Sequence, residues 1–429
     1  MKAVSTYKKQ TILLLFAMVF QGILSLQAQE TLSLTECYTL AETNYPLQAK
    51  KGLLASQNEA ELAAISKQKL PKFELAAQAT YQSDVTHMDL EFPPTMNIDI
   101  DSPNNEQWKA TFTASQLIYN GGLIDLQQNI KKAELGAKQQ EIAVSFHQLK
   151  AQINSLYFSV LLLKQTKTVL EKNTIQIQEK ITEIDKRIQH GVAPVNAADP
   201  LHVKVLELQQ KIIEIDATQK QVYNKLGLLI GKHISNTTEL SLPDVYVSQH
   251  IKRPEFALFD FQKEIITQND NFLSKKNYPI VSAFGTGGVG NPGLNMLDNS
   301  EQGFYIVGLK AKWNVFDWGA TKKQRQALAI NKEIIDNQQQ VFEWKQSIEA
   351  KTYLSDIEKN TSLIKSDKEL IALHKKGIAT ASKQLKHDII TTADYTAEVN
   401  KLVQAEINLK THEIQLELAK ANYQITMFN

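Results

Sequence analysis

Two stretches of this chain contain almost nothing that stops a helix. From Leu123 to His190 there is no Pro and one Gly, Gly136; from Ala320 to Asn429 there is no Pro and one Gly, Gly377. Each run has room for an uninterrupted helix of ~68 residues, which at 1.5 Å per residue is ~100 Å. Helices in globular domains average about 11 to 12 residues. No compact core covers a rod of that length, so each rod must lie along other long helices. Composition agrees: 17 Gly and 11 Pro in 429 residues come to about 6.5%, against a usual sum of roughly 12%. A chain with so few turn-formers makes few turns.

Periodicity within the runs is helical. Phe146, Leu149, Ile153, Leu156, Val160, Leu163, Leu170, Ile177, Ile181, Ile184 and Ile188 follow 3-and-4 spacing, with Lys167 and Thr174 in the two polar slots. This is a sustained heptad seam. The later run carries Val341, Trp344 and Ile348, then shifts register to Ile357, Ile364, Ile371 and Ile378. Such a shift is a stutter that locally changes supercoiling.

The chain also repeats itself. Lys69-Leu70-Pro71 closes one helical run and Asn277-Tyr278-Pro279 another. Tyr119-Asn120-Gly121-Gly122 opens the first long helix and Phe316-Asp317-Trp318-Gly319 the second. Gly122 to Gly319 is 319 − 122 = 197 residues, and the long runs end near His190 and His387, again 197 apart. A duplication is therefore expected. A first repeat over 29–240 holds a first helix, strands at ~72–85 and ~108–119, and helices at ~121–190 and ~196–231. A second over 241–429 holds a helix at ~254–276, strands at ~279–290 and ~303–316, and helices at ~319–387 and ~392–425.

The strands alternate with period 2. Phe73, Leu75, Ala77, Ala79 and Tyr81 share one face of the first; Trp108, Ala110, Phe112 and Ala114 one face of the second; Tyr305, Val307, Leu309, Ala311, Trp313 and Val315 one face of the fourth. The third, Ile280 to Gly290, is Gly-rich. About 10 residues is the length of a tilted strand crossing an outer membrane. Trp108, Trp313 and Trp318 stand at or beside strand ends, where membrane girdles place aromatics. Lys310 and Lys312 on the opposite face argue for a wet lumen over soluble hairpins. The long loop at 86–107 carries Asp89, Glu91, Asp99, Asp101 and Glu106, whose spacing fits no calcium-binding EF-hand.

Lys2, Lys8 and Lys9 precede an apolar run from Ile12 to Phe20, and small Ala28 follows. Residues 1–28 read as a secretory signal peptide. Mean hydropathy is −0.29, which excludes a polytopic helical membrane protein. With 47 Lys+Arg against 46 Asp+Glu, net charge is +1, and no nucleic-acid partner is implied. The lone Cys37 makes no internal disulfide and reads as a buried small hydrophobe.

In order along the chain stand Leu32-Ser33-Leu34-Thr35-Glu36-Cys37 with Ala41 and Asn44-Tyr45-Pro46; Tyr119 to Gly122; Gly191-Val192-Ala193-Pro194; and Leu226-Gly227 with Leu229-Ile230-Gly231. With the doubling, these features resemble the TolC-like outer-membrane efflux proteins over essentially the whole mature length. The resemblance implies a mainly α fold with a transmembrane β-barrel. Four strands from each of three chains of a homotrimer would close a 12-stranded barrel, continued by a long periplasmic α-helical barrel. It implies an exit duct in the outer membrane of a Gram-negative cell, set in outer-membrane lipid. The duct would serve tripartite efflux or type I secretion with a periplasmic adaptor and an inner-membrane transporter. Gly191, Val192, Ala193 and Pro194, and Asp388, Ile389 and Ile390, would be adaptor-docking turns. Asp394 matches a ring aspartate of the family's gate; Ala197 takes the equivalent place in the first repeat, with Asp199 two residues on. Asp394 equally suits a helix cap. The family's second ring aspartate is Ala397 here, and a locking Arg of some members is Ile390.

No catalytic constellation, cofactor or metal site is read from the sequence. The nine His make no ligand pair, and Gly285-Thr286-Gly287-Gly288-Val289-Gly290 lies in a strand, with no basic residue following and the next helix far away, unlike a nucleotide-binding loop. A structural coiled-coil or adhesin-like surface protein without a transport role is the competing reading. A periplasmic adaptor, with one helical hairpin and compact β-domains, fits the duplication less well.

Overall fold

The structure, a computed structural model, describes residues 31–86, 102–236, 238–243, 253–296 and 298–428. The signal peptide and the carboxylates Asp89, Glu91, Asp99 and Asp101 lie outside the described residues. In chain order stand β1 (Thr31–Leu32), α1 (Leu34–Asn44), α2 (Leu47–Ser66), a 3-10 turn (Lys67–Lys69), β2 (Lys72–Tyr81), β3 (Glu106–Tyr119), α3 (Leu123–Gln189), α4 (Asp199–Ile230), β4 (Glu239–Leu240), α5 (Pro254–Lys275), β5 (Ile280–Asn291), β6 (Gln302–Lys312), α6 (Ala320–Lys386) and α7 (Thr392–Met427). Both α3 and α6 have 67 residues. No helix among the described residues is long and apolar enough to cross a membrane.

The chain forms two compact units. One holds Ala49–Glu141 and Glu255–Val341; the other holds the residues up to Gln48, Ile142–Pro254 and Phe342–Asn429.

In the first unit the two hairpins, far apart in sequence, make one antiparallel sheet in the order β2-β3-β5-β6. Register decides its faces. Phe73 lies opposite Ala114, Leu75 opposite Phe112 and Ala77 opposite Ala110. Phe112 then meets Gly287 and Ala114 meets Gly285, which meet Tyr305 and Val307. The alternating apolar residues of β2, β3 and β6 thus share one face with Gly285 and Gly287 of β5. Phe73 and Phe112 stack on it with centroids 5.9 Å apart. The other face carries Lys72, Glu74, Gln78, Lys109, Thr111, Thr113, Thr286, Lys310 and Lys312, with Phe284, Phe304 and Ile306. Two glycines of the sheet, Gly288 of β5 and Gly308 of β6, have a steric reason. A Cβ on Gly288 would stand 2.5 Å from the Ala110 carbonyl oxygen and 3.2 Å from the Phe304 ring, and one on Gly308 3.2 Å from the Phe284 ring. Aromatic rings cover glycine backbone here. β6 ends at Lys312, short of the expected Phe316, because its partner β5 starts at Ile280, opposite Lys312, and Pro279 has no N–H to extend the ladder.

Around the sheet the helices are tied by polar contacts. Asn58 Nδ2 donates to the Lys131 carbonyl at 2.8 Å, and Lys131 reaches Glu134 at 2.9 Å and Glu61 at 3.4 Å. Lys263 pairs with Asp336 at 2.6 Å, and Arg325 with Asp270 through Nε at 2.7 Å and Nη2 at 2.8 Å.

In the second unit a capping box starts α1: the Ser33 hydroxyl accepts from Glu36 N–H at 3.2 Å and the Glu36 carboxylate accepts from Ser33 N–H at 2.7 Å. α1 then packs Leu34, Cys37 and Ala41 into a core with Ile153, Tyr157, Phe158, Tyr223, Leu226 and Ile230. Burial pushes the Cys37 thiol up to about 12, which keeps it protonated and inert. Parallel β1 and β4 are clamped by Tyr157, whose hydroxyl sits 2.9 Å from the Leu32 carbonyl oxygen and 2.5 Å from that of Ser241. The expected α3 seam is largely inside, with Ile153, Val160, Leu170, Ile177, Ile181 and Ile184 buried. In α6 the outcome differs. Ile371 is buried, but Val341, Trp344 and Ile348 stand exposed, Trp344 by 68%.

Candidate functional site: the open sheet and the helix-end turns

The sheet is open. Among the described residues its outer strands β2 and β6 each pair on one side only, and its apolar face meets solvent: Leu75 is 81% exposed, Tyr305 78%, Val307 and Leu309 73% each. A soluble protein rarely leaves such a patch uncovered. Trp108 is half-buried on this face, opposite Ala79 and Asn291. Trp313 and Trp318 lie past β6, and Trp318 packs edge-on against Phe316, centroids 4.9 Å apart. At the far end Asn299, from the loop between β5 and β6, joins the other strand loop. It accepts from Asn104 N–H at 3.0 Å and donates to the Ser102 carbonyl at 2.8 Å.

The turns after the long helices repeat one geometry at the 197-residue offset. After α3, Gly191 has φ +72°, and Gly191 and Val192 N–H bond the carbonyls of Ile188 and Arg187, each at 2.9 Å. After α6, Asp388 has φ +57°, and Asp388 and Ile389 N–H bond those of Leu385 and Gln384 at 3.2 and 2.9 Å. These are Schellman endings. The sequence reading missed what Asp388 holds. Arg187 Nη2 donates to both of its carboxylate oxygens at 2.8 and 2.9 Å, and Nη1 donates to the Leu385 carbonyl at 3.1 Å. Arg187 thus ties the end of α3 to the turn after α6. The signal was available: Asp388 replaces Gly191 at the offset position, and Arg187, four residues before Gly191, takes the place that Gln384 holds before Asp388.

The helices leaving the turns start differently. Thr391 is the N-cap of α7, and Asp394 occupies N3 of a capping box rather than the cap itself. The Asp394 carboxylate accepts from Thr391 N–H at 3.0 Å and from its hydroxyl at 2.7 Å, while Asp394 N–H donates to that hydroxyl at 3.2 Å. The Thr391 hydroxyl and N–H hold the Asp394 carboxyl below its usual value. α4 begins at Asp199 behind Ala198, which makes no side-chain cap. Asp394 and Asp199 are both exposed. Ile390 packs against the apolar cluster of Ile184, Leu201, Leu385, Tyr395 and Val399. Lys180 reinforces that end, reaching Glu183 at 2.7 Å and the Ser382 hydroxyl at 3.0 Å and lying 5.5 Å over the Tyr395 ring.

Residues 40–232 match the model of the outer membrane efflux protein family. No match was found among curated protein sequences. Among solved structures, the fold is similar to that of the outer membrane protein VceC from Vibrio cholerae, at TM-score 0.64 and 13% identity, over 92% of this chain and 96% of that one. It is likewise similar to the CmeC outer membrane channel of Campylobacter jejuni (0.63, 13%, 92% and 85%). The open-state MtrE outer membrane channel of Neisseria gonorrhoeae is a third (0.64, 12%, 92% and 89%). At such identities the likeness is one of fold.

Proposed function

We infer that this chain is an outer-membrane efflux protein of the TolC-like class. It is an exit duct that passively conducts substrate handed over by an inner-membrane transporter and a periplasmic adaptor. The observation that carries the reading is the open four-stranded sheet with an apolar face turned to its surroundings. In lipid, every unpaired backbone group on an open edge costs several kcal/mol, so such a sheet needs company. Three copies supply twelve strands and join β6 of one chain to β2 of the next. The apolar face then meets lipid, the polar face lines the lumen, and Trp108, Trp313 and Trp318 sit toward the membrane interfaces. Export by residues 1–28 suits that destination. The exposed Val341, Trp344 and Ile348 suit burial against a neighbouring copy.

The gate belongs at the helix-end turns. Residues 191–194 and 388–390 offer the adaptor a docking surface, and the Arg187–Asp388 pair holds the two repeats together while the tip is shut. Asp394, and Asp199 beside the other turn, would place carboxylates around the axis.

The test is direct. Protein extracted from outer membranes should run as particles of three chains and conduct ions in planar bilayers. A well-behaved monomer retaining its full β content by circular dichroism overturns the reading.

A further inference from the structure

The polar face of the sheet is strongly basic. It carries Lys72, Lys109, Lys310 and Lys312 against one carboxylate, Glu74. Three of these gather at the end nearest the long helices. Lys72 lies opposite Ser115, Lys310 opposite Ser282 and Lys312 opposite Ile280. All three are exposed, and none holds an ion pair among the described residues. Elsewhere in the same unit, basic side chains have found acids: Lys69 with Asp125 at 2.6 Å, Lys263 with Asp336 at 2.6 Å and Arg325 with Asp270 at 2.7 Å. The end of the polar face is also concave. Of the three lysines Lys72 borders a hollow of about 400 Å³, which Ser115 and Ser282 of the sheet share with Leu123, Ile124 and Phe272 of the helices.

Charge of one sign on a wall of low dielectric focuses its field into the adjoining water and raises the local concentration of counter-ions. Rings of Lys or Arg are how pores favour anions. A duct indifferent to charge has no use for three uncompensated lysines within four register positions at one end of the sheet. Solvating a lumen needs only hydroxyls and amides, and Thr111, Thr113, Thr286 and Gln78 already supply these on the same face.

We propose that Lys72, Lys310 and Lys312 form a basic collar at the inner end of the barrel. The collar binds and selects small solutes carrying two or more negative charges, such as phosphate-bearing or polycarboxylate compounds. The proposal rests on the duct reading. Three lysines from each of three chains give nine positive charges around one aperture, partly offset by Glu74. The collar screens within a Debye length, about 10 Å at 0.1 M salt, so its hold on an anion falls steeply as salt rises.

Purified protein in planar bilayers, in 0.1 M KCl, with inorganic tripolyphosphate added on the side of the strand loops, tests the collar. Reversible block is expected, weakened at least tenfold in the Lys72→Gln, Lys310→Gln, Lys312→Gln triple variant and lost in 1 M KCl. The triple Arg variant should retain the block, which separates charge from fold. Should the Gln triple fail to assemble, Lys312→Gln alone should weaken the block at least twofold. Conducting channels that ignore tripolyphosphate, or whose block survives these Gln substitutions, overturn the collar and leave the duct intact. A wild-type protein that forms no channel overturns the duct and the collar together.

Discussion

The two repeats solve the same backbone problem with different residues. At the start of the long helices, Gly121 and Gly122 have φ +69° and +80°; 197 residues later Trp318 and Gly319 have +55° and +77°. At the end of those helices Gly191 is answered by Asp388. The first repeat uses glycine, to which a left-handed backbone costs nothing. The second twice places a side chain where an L-residue loses roughly 1–2 kcal/mol. A strained position is kept when its side chain has a task. Asp388 receives Arg187, and Trp318, 90% exposed, stands at the rim of the sheet. The left-handed conformation recurs at the 197-residue offset, while the residues that adopt it differ.

The largest effect should come from the face the repeats build jointly. Arg at Leu75 in the first repeat or at Val307 in the second should each cost about 2–4 kcal/mol if it faces lipid near the midplane. Lys310→Arg, on the polar face, should be tolerated. Yield of assembled protein in the outer membrane reads this out; equal losses on both faces would mean the sheet has no lipid side.

Glycine positions come next. At Gly121 a Cβ would stand 2.8 Å from Tyr278 Cβ, whereas Gly191 has open space around it. Gly121→Ala should cost about 2–3 kcal/mol in denaturant unfolding, and Gly191→Ala about 1 kcal/mol. Trp318→Gly should stabilise its turn by about 1 kcal/mol while lowering membrane assembly. A Trp318→Gly protein that assembles normally would remove the task assigned to Trp318.

Smaller effects separate the helix starts. Thr391→Ala removes a cap that α4 lacks and should cost about 1 kcal/mol. Asp394 adds a pH dependence of known sign. Its folded pKa lies below the ordinary 3.8, so its contribution is present above that value and lost as pH falls through the folded one. The Tm gap between wild type and Asp394→Asn should therefore narrow in acid. If Asp394 also rings the axis, the same variant weakens block by trivalent cations from the periplasmic side. Block that survives leaves Asp394 a capping residue only and turns attention to Asp199.

The smallest expected change in stability belongs to Arg187→Gln. Asp388 is 65% exposed, and pairs of that kind contribute about 0.2–1 kcal/mol. The conductance should nevertheless rise severalfold if the pair holds the tip shut; channels of unchanged open probability would make it an ordinary surface contact.

Much of this protein was legible in the sequence because its rules are local. Absence of Pro and Gly permits a helix whatever surrounds it, so the long rods were readable, and α3 and α6 fall inside the two breaker-free runs. Alternation assigns strand faces residue by residue, and the apolar sets of β2, β3 and β6 proved to share one face. The 197-residue offset carried the turns from one repeat to the other. Tertiary structure alone decided what depends on pairing between distant segments. That β3 joins β5 to make one sheet of two hairpins is a choice of backbone partner, which no side-chain period encodes. Which lysines stand uncompensated followed from that register. The Arg187–Asp388 pair joins residues about 200 apart, close only because two helices of equal length end together. Asp394 moved from cap to third position because the geometry of Thr391, not the identity of the acid, sets where α7 begins.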